Sequence, residues 1–214
     1  MSVTITVDKQ QLEVEPGLSV LQACLENNIY IPHLCFMKDV SPPQASCRLC
    51  FVEVEGVAQP VTACTLKVVD QMVVRTDTPD VRRLQKTGLR LLLSVHAVDC
   101  KNCPANKNCA LQDLAKFLKV GLKSKKLELH LKEPDIDDSH PHLTYYPNRC
   151  VLCGKCLQVC RAANGSAMLA FAQRGFDTVI SFYGDPGSAS PACDTCSACI
   201  DICPVAALRP KRAG

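Results

Sequence analysis

Apolar and polar side chains alternate along residues 3–8 (VTITVD) and 11–15 (QLEVE), with turn-forming residues between the two runs. A period of two on both sides of a turn predicts a short β-hairpin. The period changes at residues 19–28 (SVLQACLENN), where Val20, Leu21, Cys24 and Leu25 recur at helical spacing. Extended patterning returns at 48–55 (RLCFVEVE) and 59–64 (QPVTAC), about Gly56, and 67–76 (KVVDQMVVRT) supplies a last extended pair. Strands, a helix and further strands over residues 1–78 predict an α+β domain on a small mixed sheet.

A second helix starts at Thr78-Pro79-Asp80, where proline sits near the first helical position. Val81, Leu84, Leu89, Leu91, Leu92 and Val95 carry it to His96, and another helix is expected over 110–120 (ALQDLAKFLKV), ending at Gly121. Residues 132–148 are rich in Pro, Asp and His and read as a connector; the linker proper is set at 132–145. Beyond it the run C-x2-C-x2-C-x3-C occurs at 150–160 and again at 193–203, which implies a duplicated half-domain. The resulting division is 1–78, 79–131, a linker at 132–145, and 146–214.

Composition changes this picture at one point: 16 of the 214 residues are cysteine. A disulfide scaffold is one use for so many thiols. The opening residues MSVTITVDKQQLEVEP lack the apolar stretch of a secretory signal, and most cysteines fall in C-x2-C pairs. Reduced, metal-bound thiols in the cytoplasm are therefore expected. The longest apolar stretch, near 89–98, is too short to span a bilayer. A net charge of +3 is too mild to argue for nucleic acid. Lys119, Lys123, Lys125, Lys126 and Lys132 form a local basic cluster, read as a solvated face or connector, with docking of a partner as the other use.

Sorting the cysteines by spacing gives the candidate chemistry. Cys150, Cys153, Cys156 and Cys160 form one run; Cys193, Cys196, Cys199 and Cys203, followed by Pro204, form the other. In two-cluster ferredoxins three thiolates of each run hold one [4Fe–4S] cube and the fourth crosses to its neighbour. One cube is thus assigned to Cys150, Cys153, Cys156 and Cys203, the other to Cys193, Cys196, Cys199 and Cys160. Zinc prefers two C-x2-C pairs around one tetrahedral ion and fits this doubled run poorly.

The first module holds Cys35, Cys47, Cys50 and Cys64, spaced C-x11-C-x2-C-x13-C. Its C-x2-C loop feeding a strand, with outlying cysteines, matches plant-type [2Fe–2S] spacing only in part, so zinc stays open here. Between the modules lie His96, Cys100, Cys103 and Cys109, spaced H-x3-C-x2-C-x5-C. A continuing helix would put His96 and Cys100 on one face. The set could be a Cys3His zinc site; with clusters on both sides, a His-ligated [4Fe–4S] cluster is favoured. Fifteen cysteines are then used, and Cys24 remains as a small buried apolar residue. His33, His130, His140 and His142 have no thiol at ligand spacing and are read as structural or surface groups, with a supporting role beside a cluster loop as the other reading of His33 in IPHLC.

The motifs IPHLC, SCRLC-x-VEVEG and TAC, then H-x3-C-x2-C-x5-C, then the paired ferredoxin runs, resemble the N-terminal region of the large iron–sulfur subunit of respiratory complex I. The same region is similar to the start of iron-only hydrogenases and of some NAD-coupled formate dehydrogenases, and to the stand-alone diaphorase iron–sulfur subunit of NAD-reducing hydrogenases. The resemblance covers about residues 3–208. It implies a β-grasp [2Fe–2S] ferredoxin domain, a small helical His/Cys3 [4Fe–4S] module and a two-[4Fe–4S] ferredoxin-like domain. It implies one [2Fe–2S] and three [4Fe–4S] clusters, both ferredoxin cubes included, which tilts the match toward the hydrogenase and dehydrogenase branches.

No G-x-G-x-x-G follows a strand, and no hydrolytic or further cysteine constellation is present in these residues. The expected role is an electron relay without an active site of its own. It would link a flavin/NAD(H)-binding subunit to a catalytic hydrogenase, dehydrogenase or reductase subunit, with no bound flavin or nicotinamide, no nucleic acid and no direct membrane span. A freestanding polyferredoxin carrier is the alternative, and a zinc-rich scaffold a third reading.

Overall fold

The computed structural model describes residues 2–123, 127–165, 168–183, 193 and 195–211. Lys125 and Lys126 of the basic cluster lie outside the described residues. The chain divides into two compact units, Met1–Leu89 and Arg90–Gly214.

In the first unit β1 (Val3–Val7) and β2 (Gln10–Val14) pair antiparallel from Val3↔Val14 to Val7↔Gln10. Asp8 and Lys9 both take positive φ, 49° and 75°, which matches the right-handed twist of a tight hairpin. The Asp8 carboxylate accepts from the Thr76 amide (2.8 Å) and hydroxyl, so the turn is tied to the end of β5 (Val73–Arg75). With β3 (Phe51–Val54) and β4 (Val61–Thr62) the sheet order is β2-β1-β5-β3-β4, mixed because β1 and β5 run parallel. Alternation places Ile5, Val7, Leu12, Val14, Val52 and Val74 in one core with Val20, Leu21 and Ala23 of α1 (Val20–Glu26). Ser19 caps α1 by accepting from the Gln22 amide at 3.2 Å. The mixed sheet with one packed helix is the α+β arrangement expected.

Residues 67–76 give one strand, not an extended pair. Gln71 sits at φ 63°, which breaks the extended run, and Lys67 forms only an isolated bridge with Ser19.

Helix α2 (Pro79–Leu93) crosses the division between units. It is held to β3 by Thr78 Oγ1 donating to Glu53 (2.6 Å) and by Gln85 Nε2 donating to the Phe51 carbonyl (3.2 Å). At Gly88 an added Cβ would stand 2.5 Å from the Arg48 carbonyl oxygen, so only glycine allows this approach of helix to loop.

The second unit contains α3 (Ala110–Leu118), β6 (Leu143–Tyr145), α4 (Lys155–Asn164), β7 (Leu169–Ala172), β8 (Val179–Phe182), α5 (Ala198–Asp201) and β9 (Leu208–Pro210). β7 and β8 form a hairpin between the two cysteine runs that the sequence pattern did not predict. β6 pairs antiparallel with β9, Tyr145 opposite Leu208. Among the described residues no helix is long and apolar enough to cross a membrane.

Candidate iron–sulfur centres

The first set is carried by loops around the sheet edge. Cys35, Cys47, Cys50 and Cys64 are all buried. The Cys35 and Cys47 sulfurs lie 3.4 Å apart, and Cys50 and Cys64 act on each other's ionisation as a second pair. The backbone fixes the second pair, since the Ala63 amide donates to the Cys50 carbonyl at 2.8 Å. Arg48, between the loop cysteines, has φ 52°, which turns the chain so that both thiols of C-x2-C face inward. Within each pair one thiol is drawn down by its interaction with the other, Cys35 to about 5, while its partner is pushed up by that interaction and by burial. Four crowded sulfurs that cannot all ionise without a cation are what a thiolate-bound metal group relieves.

The second set lies past the end of α2. The helix was expected to continue through His96; it stops at Leu93. Ser94 turns its hydroxyl back to the Leu91 carbonyl (2.8 Å), and the Ala97 amide is drawn to the Asn148 carbonyl (2.7 Å). His96 and Cys100 therefore do not share a helix face, yet both line one pocket with Cys103 and Cys109. Its unfilled space is about 310 Å³. Cys100 opens a short 3-10 turn, and Cys109 is the residue before α3. His96 Nδ1 donates to the Arg149 carbonyl at 3.0 Å, leaving Nε2 as the free donor atom. Burial holds the ring below the usual imidazole range, so it is neutral and able to bind metal.

The third and fourth sets follow from strand pairing. Cys150 comes five residues after Tyr145, and Cys203 five before Leu208, its antiparallel partner, so the two meet at one end of the ribbon. Cys150, Cys153, Cys156 and Cys203 line a pocket of about 340 Å³, walled by Val151, Ile180, Val205 and Leu208. Cys160 lies one turn beyond Cys156 on α4 and lines a different pocket, of about 290 Å³, with Cys193, Cys196 and Cys199. The fourth cysteine of each run thus sits with the first three of the other.

Burial pushes the thiols of Cys153 and Cys199 up to about 12 and those of Cys150, Cys156 and Cys109 upward as well. Binding metal would expel these protons. N–H groups point at several sulfurs: Leu152 N to Cys150 (3.4 Å), Ala207 N to Cys203 (3.2 Å) and Asn164 Nδ2 to Cys160 (3.7 Å). All-sulfur or sulfur–imidazole donors in apolar pockets, with amides aimed at the sulfurs, fit iron–sulfur clusters.

Sequence reasoning did not find Arg149 or Tyr145, and it placed Lys132 in a solvated basic face or connector, whereas the residue is buried. The Tyr145 hydroxyl favours ionisation of the Cys150 thiol. Their partners are distant in sequence, so no local spacing signals them. Cys24 is fully buried in the first core on α1, with its thiol pushed up to about 12 by burial. His33 Nδ1 donates to the Ile31 carbonyl at 2.8 Å and its ring meets Phe36 edge-on, a packing role.

Three family models tile the chain. Residues 1–79 match a 2Fe-2S iron-sulfur cluster binding domain. Residues 85–122 match the NADH-ubiquinone oxidoreductase-G iron-sulfur binding region, and residues 140–209 the ferredoxin-like domain of NADH-quinone oxidoreductase subunit 3. The chain is 33% identical over 211 residues to the NADH-ubiquinone oxidoreductase 75 kDa subunit of Reclinomonas americana, covering 98% of this chain and 29% of that protein. It is 32% identical to NADP-reducing hydrogenase subunit HndD of Solidesulfovibrio fructosivorans, covering 96% and 35% respectively. The chain spans about a quarter to a third of the length of the curated relatives it matches. A chain in the crystal structure of NAD+-reducing [NiFe]-hydrogenase in the H2-reduced state is similar over its whole fold, with a TM-score of 0.85 and 32% identity, covering 100% of this chain and 89% of that one.

Proposed function

We propose, from the premise that the chain belongs to the family of iron–sulfur subunits found in NADH-quinone oxidoreductases and NAD+-reducing hydrogenases, that it is an electron-relay subunit. It carries electrons between a flavin/NAD(H)-binding subunit and a catalytic hydrogenase, formate dehydrogenase or similar reductase subunit, in the cytoplasm. The ligand sets are Cys35, Cys47, Cys50 and Cys64 for one [2Fe–2S] cluster, and His96, Cys100, Cys103 and Cys109 for a [4Fe–4S] cluster. Two further [4Fe–4S] clusters are held by Cys150, Cys153, Cys156 and Cys203, and by Cys160, Cys193, Cys196 and Cys199. The corresponding modules are 1–78, 79–131 and 146–214, with 132–145 as linker.

One observation carries this reading. The three pockets of the second unit are contiguous: Val205 walls both the His96 pocket and the Cys150 pocket, and α4 supplies Cys156 to one cube pocket and Cys160 to the other. Clusters bound there supply one-electron carriers. The chain's own work is to space them, dry them and direct N–H groups at their sulfurs.

Two close thiol pairs in the first unit support two thiolates per iron in a [2Fe–2S] centre. The test is native mass measurement on material purified anaerobically from the source cells. The relay reading expects a stable complex containing a flavoprotein and a catalytic subunit. A lone monomer would favour a freestanding polyferredoxin, and full NADH or H2 activity without partners would overturn the relay.

A further inference from the structure

Lys132 is unusual among the described lysines of the second unit. Its residue is only 6% exposed, and its Nζ is buried without a hydrogen-bond partner among the described residues. Burying an ammonium is costly unless an anion compensates it. The backbone leaves it no choice of place. The Lys132 amide donates to Asn148 Oδ1 at 2.7 Å, and Asn148 Nδ2 donates back to the Lys132 carbonyl at 2.9 Å. Asn148 also donates to Asp135 at 2.6 Å and is itself buried. This clamp fixes Lys132 against the segment that runs into Cys150 two residues later. Among the described residues, Asp177 and, once ionised, the Cys150 thiolate act on the ammonium, while burial draws Nζ below the usual lysine range. Cys150 also has the Tyr145 hydroxyl and the Leu152 amide at its sulfur. The Tyr145 hydroxyl is fixed in turn, since it accepts from the Ile180 amide at 3.2 Å.

We propose that Lys132 is the built-in counter-charge of the cube on Cys150, Cys153, Cys156 and Cys203, and that it raises that cube's reduction potential. The inference rests on the relay reading above and adds a role for a residue that is not a ligand. A cube with four thiolates is anionic, and taking up one electron makes it more so. A fixed positive charge in a low-dielectric wall stabilises the reduced form more than the oxidised one. The electron comes from the neighbouring carrier and leaves to the next, with no proton or bond exchanged at Lys132. Lys132 acts through Cys150 and is a positioning residue.

The experiment is an EPR-monitored redox titration of the full chain carrying its clusters, for wild type, Lys132→Met, Lys132→Gln and Lys132→Arg. The cube is identified as the signal lost in Cys153→Ser, and iron and sulfide content report loading. In both neutral variants that signal should titrate at a more negative potential, while Lys132→Arg stays near wild type and the other centres do not move. Failure of both neutral variants to load this one cube, with Lys132→Arg fully loaded, likewise supports a required counter-charge. Neutral variants that load and titrate as wild type overturn the proposal, as do equal shifts in all three variants or failure of all three to load, which would make Lys132 a packing residue. A wild-type chain without any iron–sulfur cluster would instead overturn the relay reading itself.

Discussion

The ring of His96 is held at Nδ1 by the Arg149 carbonyl, so Nε2 presents a neutral donor in a pocket whose other proposed ligands are thiols. Imidazole in place of thiolate removes a negative charge from the bound cluster, and in Rieske centres such a replacement raises the potential. His96→Cys should therefore keep the cluster and lower its potential, on the order of 100 mV; a redox titration reads this, and an unchanged potential would argue against His96 as a ligand. Cys24 is the opposite case. It is fully buried among Val20, Leu21 and Ala23, in the core that also takes in Cys50 and Cys64. Cys24→Ala should leave iron content unchanged and cost about 1 kcal/mol in denaturant unfolding, from lost contacts. Loss of a cluster in that variant would show that the sixteenth cysteine had been sorted wrongly.

Element by element, the hairpin, α1 and the start of α2 were legible because period and capping are local properties: β1 and β2 alternate, Ser19 caps, and Pro79 opens its helix. The ligand spacings were legible for the same reason, since a C-x2-C loop must close around one group within a few residues. The end of α2 was not, because it depends on Asn148, some fifty residues away, taking the Ala97 amide. Nor was the β7–β8 hairpin, whose strands pair within an interval otherwise read only as spacing between cysteine runs. Gly88 is another long-range feature, a helical glycine whose reason is the Arg48 carbonyl. Alanine there would gain at most about 1 kcal/mol of helix propensity. A Cβ placed 2.5 Å from a backbone oxygen forces the Cys47–Cys50 loop or the helix to move, at a cost of about 1–3 kcal/mol. Gly88→Ala is thus expected to lower the unfolding midpoint and to broaden the [2Fe–2S] signal in circular dichroism or EPR, with the [4Fe–4S] signals retained.

Over the whole molecule, fifteen cysteines and one histidine fall into four sets, three of them lining pockets in one unit and the fourth grouped by paired thiols in the other. The 16 cysteines of a 214-residue chain with a net charge of only +3 are the feature that organises everything else. Domains that bind 2Fe-2S and 4Fe-4S clusters are what the family models match. The number of clusters per chain is the central claim. Iron and acid-labile sulfide, determined per chain on anaerobically purified or reconstituted protein, test it most directly. One [2Fe–2S] and three [4Fe–4S] clusters predict about 14 iron atoms and as many sulfides per chain; near-zero iron accompanied by several zinc atoms would contradict the account.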